Sequence, residues 1–363
     1  MQGKINNDAS VRNQLRLLGI DEYLNRDGVT ELVINRPNEL FVERTDGWER
    51  IEDGRFSLTA LNQFANTLAI YNEKHITQQS PMHSVTLPDG ERGHIMIPPT
   101  CEQQTIVFAL RKPSNNRFTL DSYIGSGRVT DFNDVSQYNG SCKETEIEIN
   151  GKQYRDAADA LQIPIGVNLL DWQLQMLHHK ANRELNQFFQ LAIKHKLNIC
   201  MVGGTGSGKT TFTKAIADMI PFYTRILTIE DTHELSLPLH PNHAHLFYKE
   251  QITAKSVIAS CMRLKPDRIF LTELRGDEAW DYLAALNTGH QGGLTSVHAN
   301  DANSVFYRIA QLAKESATGQ TMDYDYILKT VRSTIDVVCF FERTYMTELY
   351  FDPVAKYLAQ SGQ

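Results

Sequence analysis

The segment Gly203-Gly204-Thr205-Gly206-Ser207-Gly208-Lys209-Thr210 follows a short apolar run, Asn198 to Val202, and opens a helical pattern that Pro221 ends. It matches G-x-x-x-x-G-K-[ST] in the setting that gives the pattern meaning, a strand before it and a helix after it. A chain carrying this element is constrained to an α/β unit with a buried parallel strand beneath the loop. The glycines let successive backbone N–H groups turn inward around phosphate oxygens, and the helix N-terminus adds a favourable dipole. Lys209 is placed to reach the β- and γ-phosphates of a nucleotide, and the Thr210 hydroxyl to ligate Mg²⁺, with Thr211 beside it in the first helical turn.

Around this loop, strand candidates Asn198 to Val202, Arg225 to Ile229, Arg268 to Leu271, Leu294 to Val297 and Val337 to Phe341 alternate with helix candidates after Asp171, Gly208, Thr253, Asp277 and Asp301. That rhythm predicts an α/β domain with a mostly parallel sheet over residues 169–363. At ~150 residues per domain, 363 residues leave room for a second unit. Residues 1–124 supply it. Strand candidates Glu31 to Asn35, Glu39 to Arg44, Ser84 to Leu87, His94 to Ile97 and Thr105 to Leu110 accompany a helix capped by Ser57, with Leu58, Leu61, Phe64, Ala65 and Leu68 at helical spacing. This reads as an α+β domain with an antiparallel sheet. Residues 125–168 are rich in Gly, Ser, Asn and charge, and are expected to connect the two domains; within them Glu144 to Arg155, turning at Asn150-Gly151, predicts a small hairpin.

Composition excludes several classes. The 36 Lys and Arg against 43 Asp and Glu give a net charge of −7, so nothing global indicates direct nucleic-acid binding. No apolar run approaches the ~18 residues of a membrane span, and MQGKINNDAS has no apolar signal core, so a cytosolic chain is expected. Five cysteines, all far apart, give no expectation of disulfides or of a cysteine zinc site, and Cys200 reads as a small buried hydrophobe.

Hydrolysis needs carboxylates at the C-terminal ends of neighbouring strands. Glu230, Asp231 and Glu234 follow one strand; Glu273, Asp277 and Glu278 follow another. Glu230 and Glu273 each directly end an apolar run and are the favoured pair, whereas Asp277 reads better as a helix N-cap. His298 ends a further strand, where it senses the γ-phosphate, holds the attacking water, or serves as an ordinary loop or core residue. His240, His243 and His245 are dense enough to suggest a metal, but no carboxylate or cysteine is spaced with them, and a loop is the expected reading. Lys249, Lys255, Arg263, Lys265 and Arg268 alternate with acids and read as a solvated or intersubunit face.

Four motifs occur in order: GGTGSGKTT, TIEDTHEL (Thr228 to Leu235), LTELRGDEA (Leu271 to Ala279) and NTGHQGGLTSVHAN (Asn287 to Asn300). Together they resemble the Walker A loop, Asp box, atypical Walker B and His box of the secretion traffic ATPase superfamily. VTELVINRPNELFVE (Val29 to Glu43), GERGHIMIPP and FALRKPS resemble that family's N-terminal domain, so the likeness covers essentially the whole chain. TGH-x-GG with a closing HAN, and the missing paired C-x-x-C motifs, resemble the type IV secretion branch rather than the type II branch. The resemblance implies a RecA-like P-loop domain and an ATPase with Mg²⁺, in which Glu273 orients water and Glu230 and Asp231 support the metal. It further implies a homohexameric ring at the cytoplasmic face of the inner membrane, with nucleotide held between the domains and with other secretion-system ATPases and inner-membrane components as partners. Arg92 and Arg111, from their places in GERGHIMIPP and FALRKPS, are expected to balance the remaining phosphate charge. A pilus or type II motor, and a nucleotide-gated docking scaffold with little turnover, stand as alternatives.

Overall fold

The computed structural model describes residues 2–44, 47–112, 117–138, 164, 166–249 and 251–361. The chain forms two compact units, Met1–Asn115 and Asn116–Gln363. The hairpin expected at Glu144 to Arg155, and most of the connecting segment 125–168, lie outside the described residues.

In the first unit, six strands form an antiparallel sheet: β1 (Glu31–Ile34), β2 (Glu39–Arg44), β3 (Gly47–Glu52), β4 (Met82–Thr86), β5 (Arg92–Met96) and β6 (Val107–Arg111), in the order β3-β2-β1-β6-β5-β4. Ser57 caps the helix Leu58–Tyr71 by accepting the Ala60 N–H. That helix buries Leu61, Phe64, Ala65 and Leu68, with Phe64 5.2 Å from the Phe108 ring of β6. Strand β3 was not evident in the sequence because five of its six residues are exposed, leaving no apolar alternation to read.

In the second unit the described strands are β7 (Asn133–Asp134), β8 (Ile199–Gly203), β9 (Ile226–Glu230), β10 (His243–Phe247), β11 (Arg268–Leu271), β12 (Leu294–Val297), β13 (Val337–Glu342) and β14 (Tyr345–Phe351). Their order is β10-β9-β11-β12-β8-β13-β14-β7, parallel from β10 to β13 and antiparallel between β13 and β14. Alternate residues of β8 feed two cores. Ile199 and Met201 face Phe189, Phe212 and Ile216, while Cys200 and Val202 face the cluster of Tyr282, Leu283 and Phe306. Helices therefore cover both faces, as a buried parallel sheet requires. Burial also pushes the Cys200 thiol well above its ordinary value, as fits a packed hydrophobe.

Three expectations need correction. His243 to Phe247 is an edge strand, not a loop: it pairs with β9 on one side and is half-buried, so it has no apolar stripe. Arg268 does not belong to a solvated basic face. It is buried, donates to the carbonyls of Gly292 (3.1 Å) and Ile193 (2.6 Å), and burial pulls its guanidinium down to about 10. Residues 125–138, expected in the connecting segment, are built into the second unit. Val129 and Phe132 are buried in its core, and β7 pairs with β14. Lys180, itself fully buried, ties this stretch down by donating to Asp134, Ser136 and the Phe351 carbonyl.

Candidate functional site

Strand β8 is buried along its whole length and ends at Gly203, whose φ of 143° begins the loop. A Cβ there would lie 2.4 Å from the Phe341 carbonyl oxygen and 2.7 Å from Ser207 Oγ, so only glycine lets β8 run this close to β13. Gly206 and Gly208 also take positive φ, 73° and 93°, and the helix Lys209–Asp218 starts directly after them. Ser207 Oγ donates to the Gly204 carbonyl at 2.8 Å. Lys209 Nζ donates to the Gly203 and Gly204 carbonyls at 2.7 Å each, which holds the ammonium over the loop. The loop forms one wall of a cleft of about 570 Å³ whose other walls are His298 to Asn300 and the end of β13 from Phe340 to Arg343. That volume falls in the range of small-ligand sites.

Two carboxylates, one ending β9 and one just after it, divide their work. Glu230 is fully buried. One oxygen accepts the N–H groups of Glu234 (2.7 Å) and Leu235 (3.0 Å); the other accepts the Thr228 hydroxyl (2.7 Å) and His245 Nδ1 (3.1 Å). Burial would raise the Glu230 carboxyl, but the hydrogen bonds from His245, from the two amides and from Thr228 outweigh it and hold it below the ordinary carboxylate range. Glu234 then presents its own carboxylate to the helix after the loop, accepting the Thr210 hydroxyl at 3.0 Å.

A second group sits at the ends of β11 and β12. Glu273 accepts Arg275 at 2.6 Å through one oxygen and faces His298 Nε2 at 3.1 Å through the other, while Arg275 also donates to Asp231 at 2.8 Å. Burial works to raise the Glu273 carboxyl; the Arg275 bond, with the charges of Arg275, His298 and Lys209, lowers it overall. His298 is pushed below its ordinary value, first by burial and then by Lys209. Burial and the Lys209 charge thus disfavour its charged form, while the Glu273 carboxylate works the other way. Glu278 turns the chain here by accepting the amides of Arg275 and Gly276.

The order β13-β8-β12-β11-β9, with a glycine loop after β8 and acids after β9 and β11, narrows the comparison to nucleotide-dependent machines. Residues 168–340 match the family model described as "Type II/IV secretion system protein". The type IV secretion system protein VirB11 of Brucella suis biovar 1 (strain 1330) is 33% identical over 349 residues, covering 92% of this chain and 88% of that protein. VirB11 of Bartonella quintana (strain Toulouse) is 33% identical over 366 residues, covering 96% of each. This chain belongs to the VirB11 family. The crystal structure of the Brucella suis VirB11 ATPase in complex with sulphate is 32% identical, with a TM-score of 0.52 over 99% of this chain and 100% of that one. The pilus retraction motor PilT with bound ADP shares the fold at 14% identity and a TM-score of 0.56. The second unit is thus the RecA-like domain of a VirB11-type protein.

Within that VirB11 frame, the structure gathers Lys209, Thr210, Glu273 and His298 on one sheet edge, as do the strand ends that carry them. Asp231 joins them through Arg275. Glu230 stands behind the edge with both oxygens occupied, and Glu234 is the carboxylate that meets Thr210. Asp277 occupies the N-cap of the helix Glu278–Asn287, but its side chain makes no capping bond. Arg92 and Arg111 lie in the first unit as direct register partners on β5 and β6, with Arg111 also opposite Glu31 of β1. Arg275 and Arg343 were not singled out from the sequence. For Arg275 the signal was available, an arginine two residues past Glu273; for Arg343 none was, because only the β13–β14 turn carries it to the cleft.

Proposed function

We propose that this chain is an ATP-hydrolysing motor of a bacterial type IV secretion system, coupling ATP binding and hydrolysis to domain motion that powers substrate export or pilus assembly. The observation that carries the reading is the Glu273 carboxylate. It is held between Arg275 and His298 beside the lysine of the phosphate loop and kept ionised. In that state it can orient a water for attack on the γ-phosphate and accept its proton. Lys209 and the loop amides hold the phosphates. Arg275 holds one oxygen of Glu273 and His298 faces the other, which fixes the orientation in which the carboxylate meets the water.

Thr210 and Glu234 offer oxygen donors 3.0 Å apart at the first turn of the helix, a set that fits a hard ion such as Mg²⁺. When bound, Mg²⁺ would neutralise charge on the phosphates. Glu230 and Asp231 act one step back, Glu230 by ordering the Glu234 amide and Asp231 by anchoring Arg275. Arg92 and Arg111 add positive charge toward the phosphates.

The working form is a homohexamer at the cytoplasmic face of the inner membrane that docks on other secretion ATPases and inner-membrane components. Among the described residues no helix is long and apolar enough to cross a membrane, in keeping with peripheral attachment. Phosphate release measured against oligomer size, with and without inner-membrane vesicles, tests this reading. A hexamer fraction that turns over Mg-ATP supports it; a pure hexamer that binds ATP without turnover would leave a nucleotide-gated scaffold.

A further inference from the structure

Behind the sheet edge, Glu230, His233 and His245 bring three ligand atoms within 4.8 Å of one another. We propose that these residues form a binding site for one divalent transition ion of the zinc class, separate from the Thr210 and Glu234 oxygens that suit Mg²⁺.

The spacing fits. Glu230 Oε1 lies 3.1 Å from His245 Nδ1 and 3.6 Å from His233 Nδ1. Tetrahedral zinc, with bonds of about 2.0–2.2 Å to nitrogen and oxygen, sets its ligand atoms about 3.3–3.5 Å apart. A small adjustment of the exposed His233 ring would therefore close the set, leaving the fourth position to water. The donor chemistry also discriminates: two imidazoles and one carboxylate suit zinc, cobalt or nickel, whereas Mg²⁺ prefers an all-oxygen octahedron.

The ligands are held in place by the fold. His245 sits on β10 in register with Thr228 of β9, and Thr228 donates to the same Glu230 oxygen at 2.7 Å, an outer-sphere bond of the kind that orients a metal-binding carboxylate. The other Glu230 oxygen is fixed by the amides of Glu234 and Leu235. His245 Nδ1 lies 2.7 Å from the Thr228 hydroxyl and 3.1 Å from Glu230 Oε1; ligation requires Nδ1 unprotonated, with the ring proton on Nε2. His233 is half-exposed and provides the entrance. Sequence spacing hid this set, since the parallel pairing of β9 and β10 supplies Glu230 to His245 from fifteen residues away.

A second cluster, His178, His179 and Glu184, also meets the distance requirement and serves as the internal control. The purified full-length protein, stripped with a chelator, is titrated with Zn²⁺ against a chromogenic competitor in excess Mg²⁺, and with Co²⁺ while visible absorption is recorded. The expected result is one tight Zn²⁺ per chain and a tetrahedral Co²⁺ spectrum. Both are retained in His179→Ala and weakened at least about tenfold in His233→Ala and His245→Ala. His233 is exposed enough that its removal leaves the fold intact, so that variant decides the matter. Wild-type protein that takes up no Zn²⁺ over Mg²⁺, or uptake lost in His179→Ala and unchanged in His233→Ala, overturns the proposal.

Discussion

The Thr210 hydroxyl donates to the Glu234 carboxylate at 3.0 Å, and the Glu234 backbone N–H donates to Glu230 at 2.7 Å. The helix after the phosphate loop is thereby tied to the segment after β9 through two successive glutamates, one buried and one facing the site.

This division of labour separates two conservative variants. Glu230→Gln leaves one of two buried amides, or the His245 donor, facing an NH₂ group. It should cost about 1–3 kcal/mol of stability, read as a lowered denaturation midpoint. Glu234→Gln keeps a carbonyl oxygen for the Thr210 hydroxyl and should cost less stability than Glu230→Gln. Its Mg²⁺-dependent turnover should nevertheless fall. Equal stability losses for the two would dissolve the distinction.

The pH dependence of stability follows from the same groups. Glu230 and Glu273 have carboxyls depressed below the ordinary 4.5, and His298 has an imidazole depressed below the ordinary 6.5. In each case the unfolded chain binds protons more readily, so their stabilisation is complete above the ordinary value and is lost as pH falls through the folded one. Denaturation midpoints should fall as pH drops below about 6.5, where His298 takes up a proton together with the similarly depressed His94, His178, His195 and His240, and fall again below about pH 4.5 through the glutamates. Glu273→Gln should flatten the lower part and, by removing the charge that raises His298, deepen the upper one. A midpoint that rises on acidification below pH 6.5 would refute the assignment of these directions.

Gly203→Ala tests the loop without touching its charge. The added Cβ meets backbone, the Phe341 carbonyl, which cannot swing away as a side chain would. The β8–β13 pairing must open or the loop must shift, and nucleotide affinity should drop at least about tenfold, as isothermal titration would show. Gly204→Ala, where the added carbon meets nothing within 4 Å, should keep most of that affinity. Similar losses in both would point to flexibility rather than close packing as the reason for glycine.

Arg111→Ala should weaken binding of a non-hydrolysable ATP analogue more than binding of ADP, because the proposed partner is the γ-phosphate, where arginine is worth 10³ to 10⁵ in rate in related chemistry. Competition with a fluorescent nucleotide measures both. Equal losses, or none, would return Arg111 to a strand arginine opposite Glu31, whose carboxyl burial raises and Arg111 lowers.

What was legible in the sequence was what burial imposes on residue type. Arg268 to Leu271 is covered on both faces and reads, after its arginine, as an apolar run; it and Leu294 to Val297 occupy the expected spans in the structure. The helix Leu58–Tyr71 announced itself through Ser57 and a regular apolar stripe. Edge strands β3 and β10 bury little and left no such trace. Helices Asp171–Ala181 and Leu185–Lys194 are separated only at Arg183, in the left-handed region at φ 63°, which no glycine or proline marks. In the site, residues that end strands were legible because strand ends converge. The Thr210–Glu234 bond was not, since it depends on the path of a turn that Glu230 shapes from beneath.

In the proposed mechanism Glu273 acts on the attacking water while Lys209 holds the phosphates. Single-turnover hydrolysis and equilibrium ATP binding, measured on full-length Lys209→Ala and Glu273→Gln, test it most directly. Lys209→Ala should lose ATP binding. Glu273→Gln should bind ATP as wild type does and hydrolyse it at least about a hundredfold more slowly, about 2.7 kcal/mol of barrier. Hydrolysis at the wild-type rate by Glu273→Gln would contradict the account and move the search for the water-directing group to Glu234.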